Sequence, residues 1–411
     1  MGEARRVVVT GMGCVSGLGQ GVEATWARLA RGEGAIAPFS RSYGEHPGLS
    51  FQGPAAAAPL LDLSALEARL GGRALANLDP LSVFAATAAH EALDRAGLLG
   101  HASLDTRTAI LFGAGSGGNA TFEDGFSRIY DRKLGSVHPL TIPKSMLGAP
   151  AAQLSMLFGV RGLTFSLSSA CASSAHAIGE GMHMIRAGRC DVALVGGGEA
   201  CLTLGSWLGW AALRTLAPDT CRPFSTGRKG LVLGEGAAML VLESEAHAQA
   251  RGAPVLAEMA GLGAASDAHH LTAPHVDGAS AAIRAAHLDA GLALEAPALV
   301  SSHGTGTILN DRTEAQAMRA VYGEAMAGKT VIATKSAHGH LIGGGGALEF
   351  IIGISALQHR LAPPVLNRLG PDPECDLPLA LEPTPLDCEA LVSNSFAFGG
   401  LNAVLVARLP G

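Results

Sequence analysis

Three segments, far apart in the chain, each place a reactive side chain just past a short apolar run. Phe165-Ser166-Leu167-Ser168-Ser169-Ala170-Cys171 ends in a thiol, and Leu299-Val300-Ser301-Ser302-His303 ends in an imidazole. Lys335-Ser336-Ala337-His338-Gly339-His340 follows another such run and offers an amine and a further imidazole. One sulfur and two imidazoles in a common pocket suit the joining of acyl thioesters. The sulfur accepts an acyl group, and a carbanion released by decarboxylation of a malonyl-type donor then attacks it. Two neutral Nε2–H groups can meanwhile hold the enolate oxygen. Such a reaction calls for no metal and no redox cofactor.

The elements that must bring these groups together are legible as patterns. From Cys171 onward, Ala175, Ile178, Met182 and Ile185 recur at helical spacing. The thiol is therefore expected at a helix N-terminus, where the dipole and free N–H groups favour the thiolate and a lowered pKa. A free cysteine packs more often than it reacts, and the chain holds fifteen histidines, so the case rests on the three segments jointly. Short β-rich runs alternate with Ala-rich stretches, the pattern of an α/β protein whose sheets are covered on both faces. Expected strands are Arg6–Thr10, Thr108–Gly113, Thr164–Leu167, Asp191–Gly196 and Ala237–Glu243, then Val255–Gly261, Ala298–Ser302, Thr330–Thr334, Leu391–Ser395 and Ala403–Ala407. The second set repeats the first, and the similar ends at Cys171 and His303 hint at a duplicated unit. Residues 1–254 and 255–411 are the expected halves. Side chains at the carboxyl ends of several strands can converge on one site. Loops rich in Pro and Gly near residues 47–59 and 363–385 are expected at the surface.

Composition narrows the function classes. With 48% hydrophobic and 16% charged residues, the 411-residue chain can bury a large core. A net charge of −6 offers no field for a phosphate backbone, so nucleic acid is not an expected partner. Arg128, Arg132 and Lys133 are read as a solvated helix face. Seven scattered cysteines without CxxC pairs argue against a disulfide framework or zinc site and for a cytosolic protein. The apolar run after Arg5-Arg6 is cut short by glycines, unlike a secretory leader, and no stretch has the length of a membrane helix.

The motifs resemble those of β-ketoacyl-acyl-carrier-protein synthases of the KAS I/II type, in the thiolase superfamily. The likeness runs from Val7-Val8-Val9-Thr10-Gly11-Met12-Gly13 to Asn394-Ser395-Phe396-Ala397-Phe398-Gly399-Gly400-Leu401-Asn402. Between them, Ser169-Ala170-Cys171-Ala172-Ser173-Ser174, the His303-Gly304-Thr305-Gly306-Thr307 turn and the Lys335-to-His340 segment stand in the family's order.

The resemblance implies a five-layer α-β-α-β-α fold made of two βαβαβαββ halves, and a homo- or heterodimer that buries the region before the nucleophile. It implies acylation of Cys171, an oxyanion hole from the backbone N–H groups of Cys171 and Phe398, and support of decarboxylation by His303 and His340. Lys335 would join a network with Glu314 and Asp311 that orders the His303 turn. Thr305 and Thr307 would touch the phosphopantetheine arm of an acyl carrier protein, and Phe398 would act as a gate. Ala397 stands where the family usually has glycine, which narrows backbone freedom at that gate. The activity implied is two-carbon extension of a fatty acyl chain. A ketosynthase of a polyketide or aryl-polyene pathway, or a non-catalytic chain-length partner subunit, are the alternatives. Retention of Cys171, His303, His340 and Lys335 favours an active subunit.

Overall fold

The structure, a computed structural model, describes residues 5–42 and 50–410. Its first half contributes strands β1 (Val7–Ser16), β2 (Thr108–Gly113), β3 (Thr164–Leu167), β4 (Val192–Glu199) and β5 (Gly236–Ser244). The second contributes β6 (Ala257–Ser266), β7 (Ala298–Ser301), β8 (Lys329–Ile332), β9 (Ala390–Ala397) and β10 (Leu401–Arg408). Each half is ordered 1-5-4-2-3 from the molecular centre to the edge. In each, the first, fifth and fourth strands pair antiparallel, while the fourth, second and third pair parallel. Both first strands also slip register at a glycine, between Val9 and Gly11 in β1 and between Met259 and Gly261 in β6. A shared irregularity of that kind is what duplication leaves behind.

The duplication pairs the strands differently from the similarity of their ends. β3, which leads to Cys171, corresponds to β8, which leads to Lys335; β7, which leads to His303, corresponds to β2. The serines common to the Cys171 and His303 segments therefore do not mark equivalent positions. β1 and β6 also hydrogen-bond to each other, Val8 opposite Glu258 and Val9 opposite Ala257, so the two sheets are joined along one path.

Helices α1 (Pro80–Arg95) and α2 (Asn119–Tyr130) are followed by α3 (Ala149–Phe158), α4 (Ser173–Arg186) and α5 (Leu204–Ala212). The second half adds α6 (Val276–Ala290), α7 (Ile308–Tyr322) and α8 (Gly345–Gln358). α1 and α3 cover the outer face of the first sheet, and α6 and α7 that of the second. Between the sheets lie α4 and α8, buried on nearly all sides. These are the five layers. A helix hydrophobic all round belongs at such a centre, and Gly345-Gly346-Ala347-Leu348 followed by Phe350-Ile351-Ile352 fits that place.

The glycine and alanine content serves close approach. A Cβ on Gly113, at the end of β2, would lie 2.3 Å from the backbone of Ser173 and 2.4 Å from that of Ser174. The strand thus packs directly against the start of the helix that follows the thiol. Within the loop expected near 47–59, residues 47–49 lie outside the described residues, while Ser50–Ala56 is a strand paired with Ala37–Ser42.

Gly113→Ala should lower unfolding free energy by about 3 kcal/mol or block folding, because backbone has to move to make room. Gly72→Ala, whose methyl would meet nothing within 4 Å, should stay within about 1 kcal/mol of the parent. Thermal unfolding of the two variants checks this, and equal effects would contradict the packing described.

Candidate active site

Four strand ends from both halves meet at Cys171. The chain leaves β3 and makes a tight helical turn over Ala170–Ala172 before α4 begins. Ala170 has φ +50°, a left-handed conformation unfavourable for a residue with a Cβ. It turns the thiol of Cys171 inward, 6% exposed, towards the backbone N–H groups of Phe398 and of Cys171 itself. The expected lowered pKa is not found: burial pushes the thiol up to about 12, against the opposing effects of Lys335 and the two N–H groups. Desolvation of a buried sulfur outweighs the helix terminus here.

His303 follows β7, and His340 follows the short helix Lys335–His338 beyond β8. The rings stand edge-to-face with centroids 5.4 Å apart. A ligand atom from each, and the sulfur of Cys171, all lie within 4.8 Å of one another. Burial, with Lys335 adding to it, holds both imidazoles well below their ordinary pKa, so they are neutral. Their tautomers follow from their partners. Nδ1 of His340 accepts from the Ile342 N–H at 3.1 Å, and Nδ1 of His303 lies 3.3 Å from Nζ of Lys335, which can only donate. The proton of each ring is thereby placed on Nε2. Nε2 of His340 is buried with no protein partner among the described residues.

Lys335 is 1% exposed and pairs with the equally buried Glu349 of α8, while donating to the carbonyl of His303 at 2.6 Å. This corrects the expected partnership with Glu314 and Asp311. Those two carboxylates, on the first turns of α7, bind the backbone of the His303 turn instead. Glu314 accepts from the N–H groups of His303 at 2.7 Å and Gly304 at 2.8 Å. Asp311 accepts from those of Gly306 at 3.1 Å and Phe224 at 2.8 Å. Burial raises Glu314 to about 7. The signal for Glu349 was in the sequence: a carboxylate alone in an apolar helix must find a cation when buried.

Thr305 and Thr307, with hydroxyls 2.9 Å apart, line a cavity of about 330 Å³ together with Cys171, both histidines and Phe398. A second cavity, about 680 Å³, opens on the other side of the thiol. Phe398 and Trp210 line both, their rings 5.8 Å apart. Ala397 is extended, φ −114° and ψ 158°, so its Cβ is accommodated without strain; the left-handed residues are Gly399 and Gly400. Sequence reasoning also missed Glu199 at the end of β4. It is 1% exposed, raised to about 7 by burial, and accepts from Gly115, Ser116 and Gly343, tying loops of both halves together.

The Cys171, His303 and His340 atoms are close enough to hold a metal ion. An ion there would occupy the sulfur lone pair that a nucleophile needs. Substituting Glu349 by Gln should reduce unfolding free energy by about 3 kcal/mol or more, since removing one partner of a buried ion pair leaves the other in a dry site without a counter-ion. Chemical denaturation checks it, and unchanged stability would show that Lys335 is not held as a buried cation.

Comparison with known proteins agrees with this geometry. Residues 4–248 match the family described as Beta-ketoacyl synthase, N-terminal domain, and residues 256–368 its C-terminal domain. Nodulation protein E of Rhizobium meliloti is 43% identical over 409 residues, covering 98% of this chain and 99% of that protein. The 3-oxoacyl-[acyl-carrier-protein] synthase 2 of Staphylococcus aureus (strain COL) is 35% identical, covering 99% of each. Among solved structures, the ishigamide ketosynthase/chain length factor superposes with a TM-score of 0.93 at 32% identity, covering 100% of both chains. A ketosynthase from Xenorhabdus doucetiae, in complex with its chain length factor, does so at 0.81 and 28%, covering 99% of this chain and 98% of that one. The thiol and imidazoles that meet at these strand ends thus sit in a thiolase-like enzyme of acyl transfer, and the chain belongs to the β-ketoacyl synthase family.

Proposed function

We propose that this protein condenses an acyl group held on Cys171 with a malonyl group carried on an acyl carrier protein. The observation that carries this reading is the shared site of one sulfur and two neutral Nε2–H donors. The sulfur attacks the carbonyl of an incoming acyl thioester, whose oxyanion is held by the N–H groups of Cys171 and Phe398. The thiol proton leaves with the carrier's sulfur, and the acyl group is now a thioester of Cys171. A malonyl thioester then enters between Thr305, Thr307 and the histidines. Its carboxylate departs as carbon dioxide, and the electron pair moves into an enolate whose oxygen accepts from His303 and His340. The enolate carbon attacks the acyl-Cys171 carbonyl, the C–S bond breaks, and the released sulfur takes up one proton from solvent, which balances the loss of carbon dioxide from a carboxylate. No electrons are gained or lost overall, so the sequence of steps calls on no redox group, and the N–H donors supply the polarisation of the carbonyl and enolate oxygens.

The high pKa of the thiol fits a nucleophile that sheds its proton only as the thioester arrives. Lys335 would act by positioning, holding His303 from behind. Phe398, between the two cavities, would move aside when an acyl chain passes from one to the other. Arg214 and Lys229, exposed at the mouth of the smaller cavity, are suited to the phosphate of a phosphopantetheine arm. For the larger assembly, β3 is a sheet edge with Leu163 and Phe165 exposed beside it, and α2 exposes Phe122, Phe126, Ile129 and Tyr130. An unpaired sheet edge and an apolar helix face are each covered in a working protein, here by a second subunit, identical or related. All seven cysteines are free and buried, and no helix among the described residues is long and apolar enough to cross a membrane; both support a place in the cytoplasm.

Cys171→Ala should remove acylation and condensation with the fold intact. His303→Ala or His340→Ala should still be acylated yet lose about 10²- to 10³-fold in carbon–carbon bond formation. Mass spectrometry of the acyl-enzyme and product assay separate the steps. Acylation without Cys171, or full condensation without both histidines, would overturn the assignment.

A further inference from the structure

The larger cavity is built unlike a sleeve for a plain hydrocarbon. Phe122, Phe126, Trp210 and Phe398 give it an aromatic side, but a continuous chain of polar side chains also lines it, starting from the buried Glu199. Ser116 donates its hydroxyl proton to Glu199 at 2.6 Å and accepts from the Asn119 amide at 2.8 Å. The same amide nitrogen donates to the hydroxyl of Ser206 at 3.1 Å, and Thr203 donates to Ser206 at 3.1 Å. Counting protons along this chain leaves a remainder. Ser116, Thr203 and both protons of the Asn119 amide are committed, whereas the hydroxyl proton of Ser206 and the amide oxygen of Asn119 have no protein partner among the described residues. Within this chain a donor and an acceptor are thus left without a partner on the wall of the space beyond the nucleophile, at the starts of α2 and α5.

A saturated chain entering there would cover both groups and satisfy neither, and a desolvated polar group without a partner opposes binding. A chain bearing oxygen would satisfy them: a ketone can accept from Ser206, and a hydroxyl can also donate to Asn119. We propose that the Ser116–Asn119–Ser206 array is a specificity subsite for acyl chains that carry carbonyl or hydroxyl oxygens along their length. The inference rests on Cys171 being the acylated nucleophile and names the class of acyl group it holds. Orientation follows from the order of the array. Glu199 fixes Ser116, Ser116 fixes Asn119, and the two together with Thr203 fix Ser206, so the free donor and acceptor are preset before a chain arrives.

The test charges one carrier protein with acyl chains of equal length, saturated, conjugated polyunsaturated, or hydroxylated at C3 and C5, and follows the mass shift on Cys171. The protein is used as it assembles in solution. Hydroxylated chains should transfer about tenfold faster than saturated ones. In Asn119→Leu combined with Ser206→Ala that preference should fall to within about twofold, through a gain for the saturated chain. Saturated or polyunsaturated chains transferring as fast as hydroxylated ones in the parent protein would overturn the subsite while leaving the nucleophile intact, as would a preference that survives the double variant. If no chain of any type acylates Cys171, the condensing reading fails and the subsite fails with it. The parent's preference stands as a test even where the double variant does not fold.

Discussion

The ion pair of Lys335 with Glu349 organises this site. Both groups are withdrawn from water, at a desolvation penalty that a plain hydrophobic pair would not incur, and such pairs seldom add net stability. Its value is positional. The ammonium that Glu349 holds in place also donates to the carbonyl of His303 and points at Nδ1 of that ring. A group that only donates forces Nδ1 to accept, and so places the ring's proton on the far nitrogen. The Ile342 N–H does the same for His340. Two rings that could each carry their proton on either side are thereby given one arrangement, with both donors turned toward the cavity that the sulfur shares. The positive charge nearby also keeps the rings neutral, since it adds to burial in opposing protonation.

Around this pair the duplicated fold distributes the parts. The edge strand of one half delivers the sulfur and the equivalent strand of the other delivers the lysine. Phe398 follows the strand equivalent to the one that ends in Glu199. Glu314, Asp311 and Glu199 then secure the loops through backbone N–H groups. Three buried carboxylates are thus spent on holding main chain, and one on holding a cation. Burial suppresses ionisation of the thiol and protonation of the imidazoles, so the site rests without charge on the groups that touch substrate. Charge develops during the reaction, where the oriented N–H donors meet it.

Much of this was legible in the sequence because it depends on local pattern. Alternation of β-rich and Ala-rich runs located the strands to within a few residues, though β1 and β6 extend further than their uninterrupted apolar runs because the glycines that break them are where helices approach. The segments carrying Cys171, His303, Lys335 and His340 could be recognised for the same reason. Pairing was less legible. Glu314 and Asp311 are near His303 in sequence and do bind its turn, but Glu349 reaches Lys335 through helix packing that no spacing rule reveals. The thiol's pKa was misjudged because a helix N-terminus is read from periodicity, whereas full burial depends on the opposite half of the molecule. Ser116, Asn119 and Ser206 look like ordinary loop and helix-end residues until three separate elements place them together.

The measurement closest to the central claim is the ¹⁵N spectrum of histidine-labelled protein, with His303→Gln and His340→Gln variants to assign the two rings. Both should show a protonated Nε2 and an unprotonated Nδ1, unchanged as pH falls from 8 through the ordinary histidine range near 6.5, because their folded pKa values lie well below it. An imidazolium signal from either ring at neutral pH, or a proton on Nδ1, would contradict the account.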